Sequence, residues 1–133
     1  QGGEGEVPCL AVAGRAELGR RGEALAEAFF AAHGCRTLAR NFRCRAGEID
    51  LVVSDGKTIV FVEVRSRRGD QAGTPLESVD RRKQVRVARV ARYFLAAHRL
   101  GDRHTRFDVV GVRFDREPPE IEHVPGAFEA VGD

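Results

Sequence analysis

Two acidic side chains on neighbouring apolar stretches carry the chemistry to which this sequence points. Asp50 lies in Gly47-Glu48-Ile49-Asp50-Leu51-Val52-Val53, and Glu63 in Thr58-Ile59-Val60-Phe61-Val62-Glu63-Val64-Arg65. Both stretches have the composition of buried strands. A carboxylate kept there without a partner costs several kcal/mol, so each implies one. Ser54-Asp55-Gly56-Lys57 joins the stretches, and Asp-Gly between apolar runs signals a two-residue hairpin turn. With Asp55-Gly56 as the loop, Asp50 faces Phe61 and Glu48 faces Glu63. Opposite residues share a face, as do residues two apart on one strand. Glu48, Asp50, Glu63 and Arg65 then project from one side, with Asp50 and Glu63 as diagonal neighbours roughly 7–8 Å apart. A hard divalent cation, Mg²⁺ or Mn²⁺, resolves the repulsion among such acids, with water and a phosphate completing its coordination. The alternative is an ion pair between Glu63 and one of the 20 arginines. A turn of three or five residues would put the two acids on opposite faces.

The elements that must position these residues follow from periodicity. Residues 1–14 are Gly-rich and aperiodic, which predicts a flexible segment. A helix is expected from Leu18 to about His33, with Leu18, Leu25, Ala28, Phe29 and Ala32 as its stripe and Gly34 as its stop. Residues 35–43 read as a first strand, before the two hairpin strands. Residues 66–76 read as a polar loop suited to substrate contact. A long helix is expected from Leu76 or Asp80 to Arg99, its stripe made of Val87, Val90, Ala91, Phe94 and Ala97. Arg82, Arg86, Arg89 and Tyr93 line another face of it. Arg106–Phe114 predicts a fourth strand and 120–124 a short edge strand, with 126–133 as a tail. The order is αβββαβ, an α/β fold. A helix between strands three and four demands a crossover, hence a mixed sheet of four to five strands flanked by helices on both faces.

Composition sets the class. The 133 residues, 42% hydrophobic and 32% charged, suit one globular domain, expected over 15–125. No apolar stretch reaches membrane-spanning length and no signal peptide pattern opens the chain. Three cysteines without paired metal spacing suggest a reduced, cytoplasmic protein. The net charge of +2 hides a division: +9 over residues 15–114, −2 over 1–14 and −5 over 115–133. Arg81–Arg92 holds six bases and no acid, a repulsion that phosphates would relieve. A basic body suggests a polyanionic partner, while an arginine-rich composition with solvated faces is the plainer account.

Gly22-Glu23, Gly47-Glu48-Ile49-Asp50, Phe61-Val62-Glu63-Val64-Arg65, Lys83-Gln84 and Arg106-Phe107-Asp108-Val109-Val110 occur in that order. Together they resemble the YraN-like family of small bacterial proteins predicted to be nucleases, over roughly residues 15–125. The resemblance implies a restriction-endonuclease-like three-layer core, similar to archaeal Holliday-junction resolvases. It implies Asp50 and Glu63 as ligands of Mg²⁺ or Mn²⁺, the main-chain carbonyl of Val64 as a further ligand, Glu48 as an auxiliary, and Glu23 as an extra catalytic glutamate. It also makes a homodimer an expectation. Arg65 stands where the wider superfamily places lysine. Arginine does not give up its proton, so its role would be to balance charge on the phosphate. Lys83 either replaces the missing amine or binds phosphate.

The function expected is metal-dependent hydrolysis of nucleic acid, DNA and possibly branched DNA, with Arg67, Arg68, Arg82, Lys83, Arg86 and Arg89 on the backbone. The rival is a nuclease-like fold that binds nucleic acid without cleaving it, a reading that Arg65 favours. A third is a structural protein whose acids pair with arginines. Tyr93 either stacks on a base or is partly packed, and Asp108 either supports the site or pairs with an arginine.

Overall fold

The computed structural model describes residues 14–69 and 73–130. The segment expected to be flexible lies outside it, except for Gly14. Helix α1 spans Arg15–Ala32. Strands β1 (Arg36–Cys44), β2 (Gly47–Ser54) and β3 (Thr58–Arg67) follow, then a 3₁₀ turn at Leu76–Ser78 and helix α2 at Arg81–Ala97. Strands β4 (His104–Arg113) and β5 (Glu120–Phe128) complete the chain. This is the expected αβββαβ order with the edge strand added. β5 runs on through Phe128, three residues into the segment expected as tail. β3 likewise continues to Arg67, which shortens the expected polar loop.

The five strands lie in the order β1-β2-β3-β4-β5. β3 and β4 are parallel and the other pairs antiparallel. The sheet is therefore mixed, with α2 as the crossover between β3 and β4.

A hydrophobic layer lies on each side. Ile49, Val52, Ile59, Phe61 and Phe107 pack against Val87, Ala88, Val90, Ala91 and Phe94 of α2. Leu51, Val53, Val60, Val62, Val64, Val110 and Val112 pack against Ala26 and Phe30 of α1. The buried line of α1 is Leu18, Gly22, Ala26 and Phe30, a strict four-residue repeat. It differs from the expected stripe because its two small members let the helix approach the sheet closely. A Cβ on Gly22 would stand 2.0 Å from Ser66 Oγ. Ala28 and Ala32, expected in the stripe, are exposed. So is Ala97 in α2, while Ala88 is buried in its place.

Helix ends follow their local chemistry. Gly34, at φ 87, ends α1. Asp80 caps α2 by accepting the Lys83 N–H at 2.9 Å.

Candidate active site

The hairpin register decides how the two acids meet. Leu51 pairs with Val62, Val52 with Phe61, Val53 with Val60 and Ser54 with Ile59. The expected register is thus displaced: the loop is Gly56-Lys57 rather than Asp55-Gly56. The cause is Asp55, whose Oδ1 accepts the N–H groups of Lys57 and Thr58 at 2.9 and 2.8 Å. An aspartate in that role precedes the turn, and Gly56, at φ 100, takes the first central position. Within the paired residues 51–54 and 59–62 the parity is the expected one. Asp50, Glu63, Glu48 and Arg65 lie beyond the last pair, so the expected diagonal contact of Asp50 with Glu63 and the pairing of Glu48 with Glu63 are not formed by the ladder. Ile49 joins the same layer as Val52 while Leu51 and Val53 lie in the other, so strict alternation breaks between Ile49 and Leu51, at Asp50.

The backbone ladder between β2 and β3 stops at Leu51↔Val62. At that point Asp50 Oδ2 accepts the Val64 N–H at 2.9 Å, so a side chain takes over where the strands part. Glu63 is only 2% exposed. Its Oε1 lies 3.4 Å from Lys83 Nζ, and its Oε2 is buried without a hydrogen-bond partner. Burial raises the Glu63 carboxyl to about 7, assisted by the Asp50 charge and opposed by Lys83 and Arg65. Burial also raises Asp50, with Glu23 adding to the effect while the Val64 N–H, Lys83 and Arg65 oppose it. Asp50, Glu63, Glu23, Lys83 and Arg65 therefore share one electrostatic neighbourhood at the opened end of the hairpin. α1 supplies Glu23 and the first turn of α2 supplies Lys83.

Arg65, Glu48, Glu23 and Arg67 also hold outer partners. Arg65 Nη2 donates to Ser78 O at 3.4 Å, and its Nε is buried without an acceptor. Glu48 is 3.4 Å from Arg43 Nε and accepts from Asn41 Nδ2 at 3.4 Å. Glu23 also accepts from Asn41 Nδ2, at 3.2 Å. It lines two adjoining hollows, one shared with Asp50, Asn41 and Arg20, the other with Val64, Ser66 and Arg68. Arg67 Nη1 donates to Gly73 O.

One participant escaped the sequence reading. Asn41 ties Glu23 to Glu48 from inside β1, at φ 49. An asparagine in a strand, a residue type that tolerates this conformation, was the available signal. Asp80, one of the two expected starts of α2, caps it and so fixes the turn that presents Lys83.

Among the described residues, no three His, Cys, Asp or Glu side chains cluster as a ready-made metal cage. The acid pair nevertheless suits a hard cation. Its donors are all oxygen, one buried carboxylate oxygen has no other partner, and Mg²⁺ commonly uses one or two carboxylates plus substrate phosphate.

These features define a mixed α/β domain with a carboxylate pair and an amine where its central hairpin opens. Within it, residues 22–112 match the uncharacterised protein family UPF0102. The chain belongs to that family, the YraN family. It is 47% identical over 112 residues to a UPF0102 protein of Geobacter metallireducens, covering 84% of this chain and 92% of that one. A Moorella thermoacetica relative is 48% identical over 116 residues, with 86% and 97% covered. One from Anaeromyxobacter dehalogenans is 46% identical over 131 residues, with 98% and 92% covered. Among solved structures, Pyrococcus furiosus SfsA in complex with Ca²⁺ matches with a TM-score of 0.35 at 12% identity, over 81% of this chain and 62% of SfsA. No described helix is long and apolar enough to cross a membrane.

Proposed function

We propose that this protein hydrolyses phosphodiester bonds of nucleic acid, DNA in particular, with Mg²⁺ or Mn²⁺ as its cofactor. One observation carries the reading: a buried, unpartnered Glu63 oxygen in a carboxylate raised by burial first and by the Asp50 charge second. Asp50 and Glu63 would hold the ion, with the Val64 carbonyl beside them and Glu23 or Glu48 assisting from the rim. When bound, such an ion polarises a phosphoryl oxygen and lowers the pKa of its water. Lys83 keeps its amine 3.4 Å from Glu63, within reach of a water or phosphoryl oxygen beside the acids. From that position the amine serves either role, acting at the reacting centre or binding phosphate. Arg65 stays protonated and balances charge on the phosphate. Arg67, Arg68, Arg82, Arg86 and Arg89 hold the backbone without reading sequence.

The test compares wild type with Asp50→Ala and Glu63→Ala on branched, flapped and linear DNA in Mn²⁺. The expected outcome is cleavage of at least one substrate by wild type and by neither variant, with DNA binding retained by all. Equal cleavage by all three proteins overturns the site. Binding without cleavage of any substrate supports the non-catalytic rival.

A further inference from the structure

We infer that the outer face of α2 is a docking track for an unpaired nucleic-acid strand, with Tyr93 as the base-stacking platform at its far end. The inference rests on the proposal that this face takes a phosphate backbone. It does not depend on hydrolysis.

Arg82, Arg86, Arg89 and Tyr93 follow one another at four-, three- and four-residue steps and are all exposed. At 1.5 Å per residue they span about 16 Å, the reach of a few nucleotides. α2 contains no acid. Among the described residues, Arg82, Arg86 and Arg89 have no carboxylate partner. Two shallow, open hollows lie along this face. Arg82, Arg86 and Arg89 line one hollow with Ala46, and Arg89 borders a second with Tyr93 and Ala96. The two join at Arg89 into a path along the helix. Its near end is the turn that sets Lys83 against Glu63.

The path is built rather than merely charged. Gly47 lies at φ 145 under the stem of Arg86, where a Cβ would stand 3.1 Å from Arg86 Cδ. Tyr93, 39% exposed, is the exposed large hydrophobic side chain among the described residues. Arg45 Nε donates to its hydroxyl at 3.2 Å, which orients the ring and adds a cation beside it.

A basic face ending in an oriented aromatic ring carries the chemistry of single-strand binding, a charged track for the backbone and a platform for a base. A ring of this kind needs the open face of a base. Within a duplex each base face is covered by its neighbour, so Tyr93 should discriminate between paired and unpaired strands while the arginines should not.

The chain has one tyrosine and no tryptophan, so its intrinsic fluorescence reports on Tyr93 alone. The experiment titrates the full chain in EDTA with a short single-stranded DNA, the same sequence as RNA, and the matching duplex. Tyrosine emission is followed, with Tyr93→Phe as the blank. Anisotropy of labelled strands gives affinities for wild type, Tyr93→Ala, Tyr93→Phe and Arg86→Ala. The single strand should quench Tyr93 and the duplex should not. Tyr93→Ala should weaken single-strand binding roughly 5- to 100-fold and leave duplex binding unchanged. Tyr93→Phe should bind as wild type does, and Arg86→Ala should weaken both. Quenching by RNA alone would assign the strand as RNA within the same inference. Absence of quenching by either single strand, or equal losses of single-strand and duplex binding in Tyr93→Ala, overturns the track. EDTA prevents turnover, so failure to cleave DNA in Mn²⁺ leaves this result standing, and the reverse also holds.

Discussion

Glu63 and Asp108 are two buried carboxylates on adjacent strands with opposite fates. They are 2% and 0% exposed, and Asp108 stands beside Val62, one step from Glu63. Alternation therefore sends them to opposite faces of the sheet. Burial pushes the Asp108 carboxyl up, but hydrogen bonds from Arg106, His123 and the Gly126 N–H outweigh it and hold the group below its ordinary value. Both oxygens are engaged: Arg106 donates to each at 2.8 and 3.0 Å, Gly126 N–H donates to Oδ1, and His123 Nε2 lies 2.7 Å from Oδ2. Glu63 has one amine at 3.4 Å and one bare oxygen, and it is raised to about 7. Burial alone therefore says little about a carboxylate's role; its partners separate a structural acid from one left open to a ligand.

The largest expected effect is at the satisfied acid. Asp108→Asn strips Arg106 and His123 of their charged partner. It should cost about 3 kcal/mol in urea unfolding at pH 7, the low end for a broken buried pair because Arg106 is partly exposed. A loss below about 0.5 kcal/mol would erase the contrast.

Glu63→Gln should act in the opposite direction. The folded protein holds the Glu63 proton up to about pH 7, whereas the ordinary value is 4.5. Its contribution to stability therefore declines as the pH rises from about 4.5 to about 7. At 1.36 kcal/mol per unit that cost, with the Lys83 attraction already included, is on the order of 3 kcal/mol, the most that the substitution could regain at pH 8. At pH 5, where Glu63 is protonated in the fold, the substitution should be near neutral. Unfolding at both pH values checks it; destabilisation at both would make Glu63 a structural acid too. For Asp108 the sign reverses. Its stabilisation is present above the ordinary value of 3.8 and is lost as the pH falls through the depressed folded value.

The smallest effect sharpens the comparison through α1, which touches both acids' surroundings. Phe29 and Phe30 pack on His123, with ring centroids 5.1 and 5.2 Å apart, while Glu23 adds its charge to Asp50. Gly22→Ala forces Ser66 aside and disturbs its 3.1 Å hydrogen bond to Leu18 O. It should cost about 1 kcal/mol in thermal unfolding. A neutral result would mean that Ser66 rotates away without moving the helix.

Much of the architecture was legible because it is local. Turn chemistry located the central hairpin, and the parity of its paired part held even though the loop was misplaced by a residue; beyond Leu51 the alternation breaks, so strand period alone did not fix how Asp50 stands to Glu63. The error itself was local: Asp55 accepts two backbone N–H groups and so sits before the turn. The stripe of α1 was misread because Gly22 and Ala26 bury by smallness, which hydrophobic spacing underweights. β5 looked short because Pro125 and Gly126 lie within it, although Gly126 is held by Asp108.

The sequence by itself determined the order of elements, the two apolar layers and the central hairpin that carries the acids, all set by periods of two and 3.6 residues and by turn chemistry. Only the tertiary structure decided that Lys83 rather than an arginine meets Glu63, that β5 closes over Asp108, and that Asn41 joins Glu23 to Glu48. Those contacts link elements far apart along the chain. Local spacing does not encode them; they depend on how the helices settle against the sheet.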